Sequence, residues 1–496
     1  MNNQISFRIV TVICVLLTVM YTSCLYAQGT ERRVSGTITD PSGRRVIGGT
    51  VTVKGTTRGT VSDIDGKYAV MVPEGAILQF SYLGLESREI AVENRSVIDI
   101  VMEEGDLMKG IEPAKPVNLT GRQREKANAD NELGFKMFRE VSKLQGANTF
   151  FSPFSLNQVI GILYNGSSGN TRMEIAKMIN VSNLPESEFN EYYRTISQQL
   201  LKVDPTTEIA ITNAIWYRNN FQVKEAFIGT GKKYFDADIE AIDFNDPKAT
   251  GIINNWCRDK TRGRINNIAV NPYGADMILT NAIYFKSKWQ RDKKFDKEKT
   301  KPDDFTKSDN IKRRVNMMEQ TTNLPYYADQ YLQCVEMPYG NEAFSMIAIL
   351  PPENGSIDQL IDHLGNMKWD LVVNEMEEER VWLKMPRFRI ECQLPLNQPL
   401  TNAGMGSIFK GGFANMADTD MSVSNILQKT FVEVNEEGTE AAAATAMMIV
   451  GFGTMKALSE PVRFFADRPF LFLIREKSTG VILFIGRIDV PPPDMH

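Results

Sequence analysis

The sequence predicts two folded parts, a small all-β sandwich over residues 28–104 and a larger domain of mixed helices and strands over residues 128–496. Three observations carry this reading. From Arg33 to Glu104, short alternating segments are separated by turn residues, the pattern of a β-sandwich. Beyond Asn128, an amphipathic helical pattern gives way to a series of apolar strand-like runs. Between two of these runs lies Glu436-Glu437-Gly438-Thr439-Glu440-Ala441-Ala442-Ala443-Ala444-Thr445, an unusual mixture of carboxylates, glycine, threonine and alanines.

The 496 residues suffice for a large core beside a small module. A net charge of −5 and a pI near 5.5, with no basic domain, argue against nucleic acid as the main partner. Residues 1–27 read as a signal peptide: Arg8 is the only charge before Glu31, and Ile9–Met20 is an apolar run too short to span a bilayer comfortably. Leu25-Tyr26-Ala27 then offers a cleavage site before Gln28. The alternative is a lipoprotein anchored through Cys24, for which Tyr21 is a poor start of the recognition motif. Of five cysteines, Cys257, Cys334 and Cys392 lie beyond the signal region, an odd number without metal-ligand spacing. They are expected to be buried small apolar residues, not a disulfide framework.

In the small module, Val34–Asp40 alternates, Pro41-Ser42-Gly43 turns, Thr50–Val53 alternates and Asp63-Ile64-Asp65-Gly66 turns. Tyr68–Val72, Leu78–Tyr82, Ile90–Val92 and Ile98–Val101 complete about six or seven strands. Asp63, Asp65 and Gly66 form a fragment of a calcium loop, but no bidentate glutamate follows at the required spacing, so a hairpin turn is expected. The module resembles the carboxypeptidase regulatory-like domain through Gly36-Thr37-Ile38-Thr39-Asp40, Gly55-Thr56, Gly59–Asp63 and Asp65-Gly66-Lys67-Tyr68. That resemblance implies a binding or spacing role with an unknown partner. Together with the signal peptide it implies the periplasm, the outer surface of a bacterium or the extracellular space.

Residues 105–127 mix Pro113, Pro116, glycine and charge without periodicity and read as a linker. Asn131–Phe138 opens a helix with Leu133, Met137, Phe138 and Val141 on one side. Asn148–Phe151 reads as a strand ending near Pro153, with Ser155 capping the next helix.

Phe431-Val432-Glu433-Val434 alternates as a half-buried strand does. The stretch after it supports two readings. One is a helix capped by Thr439, since alanine is the best helix former. The other is an extended segment whose alternate side chains face opposite sides. One face then carries Thr439, Ala441, Ala443, Thr445, Met447 and Ile449, and the other Glu440, Ala442, Ala444 and Ala446. Such a segment can lie exposed as a loop and later enter a sheet without burying a charge or overpacking its neighbours, with Gly438 as the hinge.

The second pattern resembles the hinge of the serpin family, whose reactive loop enters the central sheet after a protease cuts it. Phe150–Leu156, Thr212–Trp216, Ile253–Trp256 with Thr261–Ile265, Leu279–Trp289, Phe465–Ile474 and Leu483–Arg487 resemble the family in the same order. The resemblance runs from Asn128 to Val490. It implies an α+β fold with a large central β-sheet, surrounding helices and a mobile reactive loop. It also implies that Ser152, Ser155 and Asn281 lie where the sheet parts, and Trp289 at the top of the sheet where insertion begins. Gln428 stands where many serpins carry histidine. Glutamine both donates and accepts, so it is expected to pair with Asn281, the alternative being a polar residue at a strand edge.

The implied activity is suicide inhibition of serine or cysteine endopeptidases by a monomer that needs no cofactor or metal. The family's count from Glu436 places the cut bond between Phe452 and Gly453, with Val450, Gly451 and Met455 as neighbouring candidates. An aromatic residue there suits chymotrypsin-like or elastase-like targets. Catalysis is not expected: neither His363 nor His496 adjoins a nucleophile motif, and there is no phosphate loop or zinc helix. The rival reading is a serpin fold that has lost inhibition and acts as a binding protein or chaperone. Its mark is a bulky or charged inward series, whereas Thr439, Ala441, Ala443 and Thr445 are small.

Overall fold

A computed structural model describes residues 31–41, 43–56, 58–82, 85–103, 112–146, 148–181, 184–268, 270–439 and 460–492. The expected signal peptide with Cys24, the expected hinge residues Glu440, Ala441, Ala442, Ala443, Ala444 and Thr445, and the expected reactive pair Phe452 and Gly453 lie outside the described residues. The chain divides into two compact units, Met1–Leu107 and Met108–His496.

The first unit contains β1 (Arg32–Thr39), β2 (Thr50–Val53), β3 (Gly59–Val61), β4 (Lys67–Val72), β5 (Ile77–Tyr82), β6 (Leu85–Ala91) and β7 (Ile100–Val101). They form a three-stranded sheet, β4-β1-β7, and a four-stranded sheet, β3-β2-β5-β6. Inward residues such as Val34, Ile38, Val51, Leu78 and Phe80 build one core. The turn at Asp63 is a tight turn, but not the expected hairpin: it carries the chain from β3 to β4, which lie in different sheets. Its carboxylate accepts the backbone N–H groups of Asp65 (2.9 Å) and Lys67 (2.8 Å). Gly66 sits at φ +70°, where a side chain would meet the Ile38 carbonyl.

The second unit opens with α1 (Gly121–Gln145), β8 (Asn148–Phe151), α2 (Pro153–Gly166), α3 (Gly169–Met178), α4 (Glu186–Leu200), β9 (Glu208–Arg218), α5 (Glu225–Phe235), β10 (Ala237–Ile242), α6 (Ala249–Lys260) and β11 (Met277–Lys288). There follow β12 (Lys301–Thr306), β13 (Lys312–Ala328), β14 (Gln333–Pro338), β15 (Phe344–Leu350), α7 (Ile357–Leu364), α8 (Trp369–Asn374), β16 (Glu377–Pro386), β17 (Phe388–Pro395) and α9 (Asn397–Asn402). The last strands are β18 (Val423–Asn435), β19 (Gly438–Thr439), β20 (Val462–Phe465), β21 (Phe470–Glu476) and β22 (Ile482–Ile488).

Two sequence expectations are corrected here. Helix α1 begins at Gly121, so residues 121–127 are helical and not linker. Thr120 and Gln123 form a reciprocal capping box, and Lys126 is buried in an ion pair with Asp130 beside the Tyr193 ring. A polar face turned inward hides the helical period. Before the helix, the Ala114 N–H donates to the Asn341 carbonyl (3.1 Å) and the Val117 N–H to the Ser478 hydroxyl (2.9 Å). The second correction concerns the cap of α2. It is Ser152, whose hydroxyl accepts the Ser155 N–H at 3.2 Å, with Pro153 in the first turn where it has no donor to lose.

The strands of this unit form two sheets. One is six-stranded, β10-β9-β11-β19-β18-β17. The other runs β20-β16-β13-β14-β15-β21-β22-β8, with β12 added on β13. Helix α2 is buried almost along its whole length and packs against β9, β11 and β22. Cys257, Cys334 and Cys392 are free and buried, and desolvation raises their thiol pKa values, to about 12 for Cys257 and about 11 for Cys392. They are packing residues, not nucleophiles.

Phe150 stacks on Phe484 (centroids 4.7 Å) and Phe472 (5.6 Å), joining β8 to the large sheet above α2. Phe150→Ala should lower the stability of the uncut protein by about 3–5 kcal/mol, read as a lower denaturant midpoint. An unchanged midpoint would show that this stack does not hold β8 to β22 and β21.

Candidate functional site

Strands β11 and β18 run parallel from the pair Met277 and Val423 to the pair Tyr284 and Phe431. Beyond that point they separate, and β19 lies between them, antiparallel to both. Thr439 pairs with Ser287 on one side and Val434 on the other. Gly438 and Thr439 are therefore strand residues, neither a helix start nor part of an exposed loop. Gly438 has φ +149°, and a Cβ there would lie 2.2 Å from the Ser287 carbonyl oxygen. The close approach of β11, as well as flexibility, demands glycine.

Asn435 and Gly438 are paired across a tight turn formed by Glu436 and Glu437. Both carboxylates are buried, at 2% and 4% exposure, and both are paired. The Arg387 guanidinium donates to Glu436 (2.7 Å), as does the Thr300 hydroxyl. Lys294 (3.1 Å) and Lys297 (3.4 Å) face Glu437. The backbone carbonyls of the turn accept the N–H groups of Phe295 (3.1 Å, to Glu436) and Trp289 (2.8 Å, to Glu437). A buried charge without its partner is costly, so these pairs pin the turn at the end of β18.

Trp289 follows β11 directly and is fully buried where β19 enters. Its indole N–H donates to the Asn435 carbonyl (3.0 Å), and its ring stacks on Tyr339 with centroids 4.5 Å apart and planes 8° apart. The Tyr339 hydroxyl is 2.6 Å from the Thr439 hydroxyl. Burial pushes the Tyr339 hydroxyl far above its ordinary pKa, so it is a neutral phenol.

Ser152, Ser155, Asn281 and Gln428 converge lower on the same seam. Asn281 and Gln428 are register partners across β11 and β18. The Gln428 amide donates to the Asn281 side-chain oxygen (3.1 Å) and to the Ser152 carbonyl (3.0 Å), while its oxygen accepts the Ser152 N–H (2.8 Å). The expected pairing with Asn281 is present, and Gln428 is fully buried in an inner strand, not at an edge. The Asn281 amide donates to the Ser155 hydroxyl (2.6 Å) and the Asn213 side-chain oxygen (2.8 Å), and the Ser152 hydroxyl donates to the Leu483 carbonyl (2.7 Å). Trp289 belongs to the upper cluster with Tyr339.

Sequence reading did not single out Asn213, Tyr339 or Arg387. Asn213 lies inside Thr212–Trp216 and its inward register was available. Tyr339 and Arg387 carry no local signal, since their partners Thr439 and Glu436 lie 100 and 49 positions away. Gln428→Leu should leave the N–H of Ser152 and the side-chain oxygen of Asn281 unpaired, costing about 2–4 kcal/mol. Thermal unfolding of the uncut protein measures this. An unaltered midpoint would mean that the cluster does not hold the seam closed.

The arrangement defines a class: a protein whose six-stranded sheet holds a short strand between two otherwise parallel neighbours. The serpin (serine protease inhibitor) family model matches residues 128–491, and the chain belongs to that family. The CarboxypepD_reg-like domain model matches residues 34–109. Serpin B3 of Homo sapiens is 32% identical over 400 residues, covering 74% of this chain and 99% of its own. Iripin-1 of Ixodes ricinus is 31% identical, covering 73% and 93%. An uncharacterised serpin-like protein of Thermococcus kodakarensis is 31% identical, covering 75% and 87%. Among solved structures, native tengpin, a thermophilic serpin, superposes with a TM-score of 0.69 at 26% identity, covering 78% of this chain and 99% of that one. Native protease nexin-1 with heparin gives 0.66 at 27%, covering 74% and 100%. The family is one of protease inhibitors rather than of enzymes.

Proposed function

We propose that this chain is an exported suicide inhibitor of serine or cysteine endopeptidases, cut between Phe452 and Gly453 by chymotrypsin-like or elastase-like targets. The observation that supports this best is the seating of Gly438 and Thr439 between β11 and β18. Once the loop is cut, the residues after Thr439 continue along the track these two have started. The slanted parallel bonds of the seam give way to antiparallel bonds on both sides of the new strand. The small inward series Ala441, Ala443 and Thr445 passes without overpacking. The protease, still joined to the cut end, travels with the strand and is distorted before it hydrolyses the link. The apolar run Ile9–Met20 supports export, and the sandwich module serves as a spacer or binding unit at the cell surface.

The test is to mix the mature protein with chymotrypsin-like, elastase-like and trypsin-like proteases and analyse the mixtures on denaturing gels. A covalent complex is expected with the first two, with mass spectrometry placing the cut after Phe452. Cleavage without any complex would favour a non-inhibitory binding protein.

Position 439 gives a second expectation. Thr439 is fully buried before any cut, so Thr439→Arg must either bury an unpaired charge or expel the hinge. The ratio of cleaved to trapped inhibitor should rise about tenfold or more, since such a charge costs several kcal/mol. Titration against a fixed amount of protease measures it, and a wild-type ratio would remove 439 from the inward series.

A further inference from the structure

Thr439 is more than a small residue at an insertable position. Its hydroxyl lies 2.6 Å from the Tyr339 hydroxyl, in a place where both residues have 0% exposure. Among the described residues, neither hydroxyl has another hydrogen-bond partner. Tyr339 is itself tightly held. Its ring is sandwiched between Trp289 (stacked, 4.5 Å) and Phe285 (edge-on, 5.3 Å). Its N–H donates to the Phe344 carbonyl (2.9 Å), and the following Gly340 N–H donates to the Lys288 carbonyl (2.9 Å). The turn between β14 and β15 thus delivers a rigid phenol from the larger sheet to the mouth of the seam in the smaller one.

We propose that Tyr339 is a positioning residue for the hinge: its hydroxyl selects a hydroxyl-bearing side chain at position 439 and holds Gly438 and Thr439 seated between β11 and β18 before the loop is cut. The inference rests on the proposed inhibitory function for its consequence, but the seating itself is a property of the uncut protein. The chemistry is one of matched desolvation. A buried hydroxyl without a partner is penalised, whereas a pair of hydroxyls, or a pair of apolar groups of the same shape, is not. Alanine or valine at 439 would fit the space and still orphan the phenol. A seated first residue also fixes the register of insertion, because a strand displaced by one position turns its outward Glu440 inward.

The experiment uses the full uncut chain as wild type, Tyr339→Phe, Thr439→Val and the double variant. Tyr339→Phe keeps the ring and its stacking, and Thr439→Val keeps the β-branched shape. The first readout is amide hydrogen exchange of the peptide containing Gly438 and Thr439. The second is the ratio of cleaved to trapped inhibitor with a chymotrypsin-like protease. Each single variant should speed exchange of that peptide about five- to tenfold and raise the cleaved fraction in the same direction, while the double variant returns to within about twofold of wild type. Single variants that exchange as wild type does would overturn the proposal. So would a double variant whose effect is the product of the two single effects, because the hydroxyls would then be uncoupled. If the wild type forms no protease complex, the inhibitory reading fails and the exchange data still decide the role of Tyr339.

Discussion

The structure depends on one seam. Strands β11 and β18 are held together over eight register pairs by parallel backbone bonds and by the side chains packed beneath them. Parallel pairing is the weaker geometry, with slanted bonds, and at the upper end it has already been replaced by the antiparallel pairing of β19. A sheet arranged in this way is closed but not at its most favourable pairing. A chain segment able to fill the seam gains two sets of antiparallel bonds.

The two clusters on the seam act on different parts of that balance. Below, Gln428 joins β18 to β11 through Asn281 and to the start of α2 through Ser152, so parting the strands breaks a fully satisfied buried network. None of Ser152, Ser155, Asn213, Asn281 and Gln428 titrates at ordinary pH, so this cluster joins the strands through neutral hydrogen bonds. Above, the paired carboxylates of Glu436 and Glu437 fix the turn that aims β19 into the gap. The aromatic wall of Trp289 and Tyr339 closes the gap from the side of the larger sheet. The pairing of β11 with β18 and the seating of β19 therefore rest on separate residues.

Much of the site was legible as a string because each motif combined side-chain type with local spacing. The alternation after Gly438 separates small residues from the charge at Glu440, and only a strand requires that separation. Gln428 was readable as a partner of Asn281 only through the resemblance, which sets it where many serpins carry histidine; an amide, with both donor and acceptor, can take that place. The errors fall where a local pattern was overridden by a distant contact. Ser155 looked like a helix cap, but the chain turns one residue before Pro153, and Ser152 takes that role. The first turn of α1 looked like linker because residues 105–127 mix proline, glycine and charge without a period, yet Lys126 is buried, paired with Asp130 against aromatic rings of α4.

What the sequence determined by itself was the set of segments capable of each role: the sandwich strands, the core strands with their inward faces, and a hinge whose side chains can be buried without charge. These follow from periodicity and side-chain volume, which are local. Only the tertiary structure decided that the hinge already lies two residues into the sheet, that Arg387, Lys294 and Lys297 neutralise its carboxylates, and that Tyr339 meets Thr439. Those outcomes depend on residues brought together from remote parts of the chain, where burial makes a hydroxyl or carboxylate pair decisive. No periodicity in the sequence records which remote group will occupy that space.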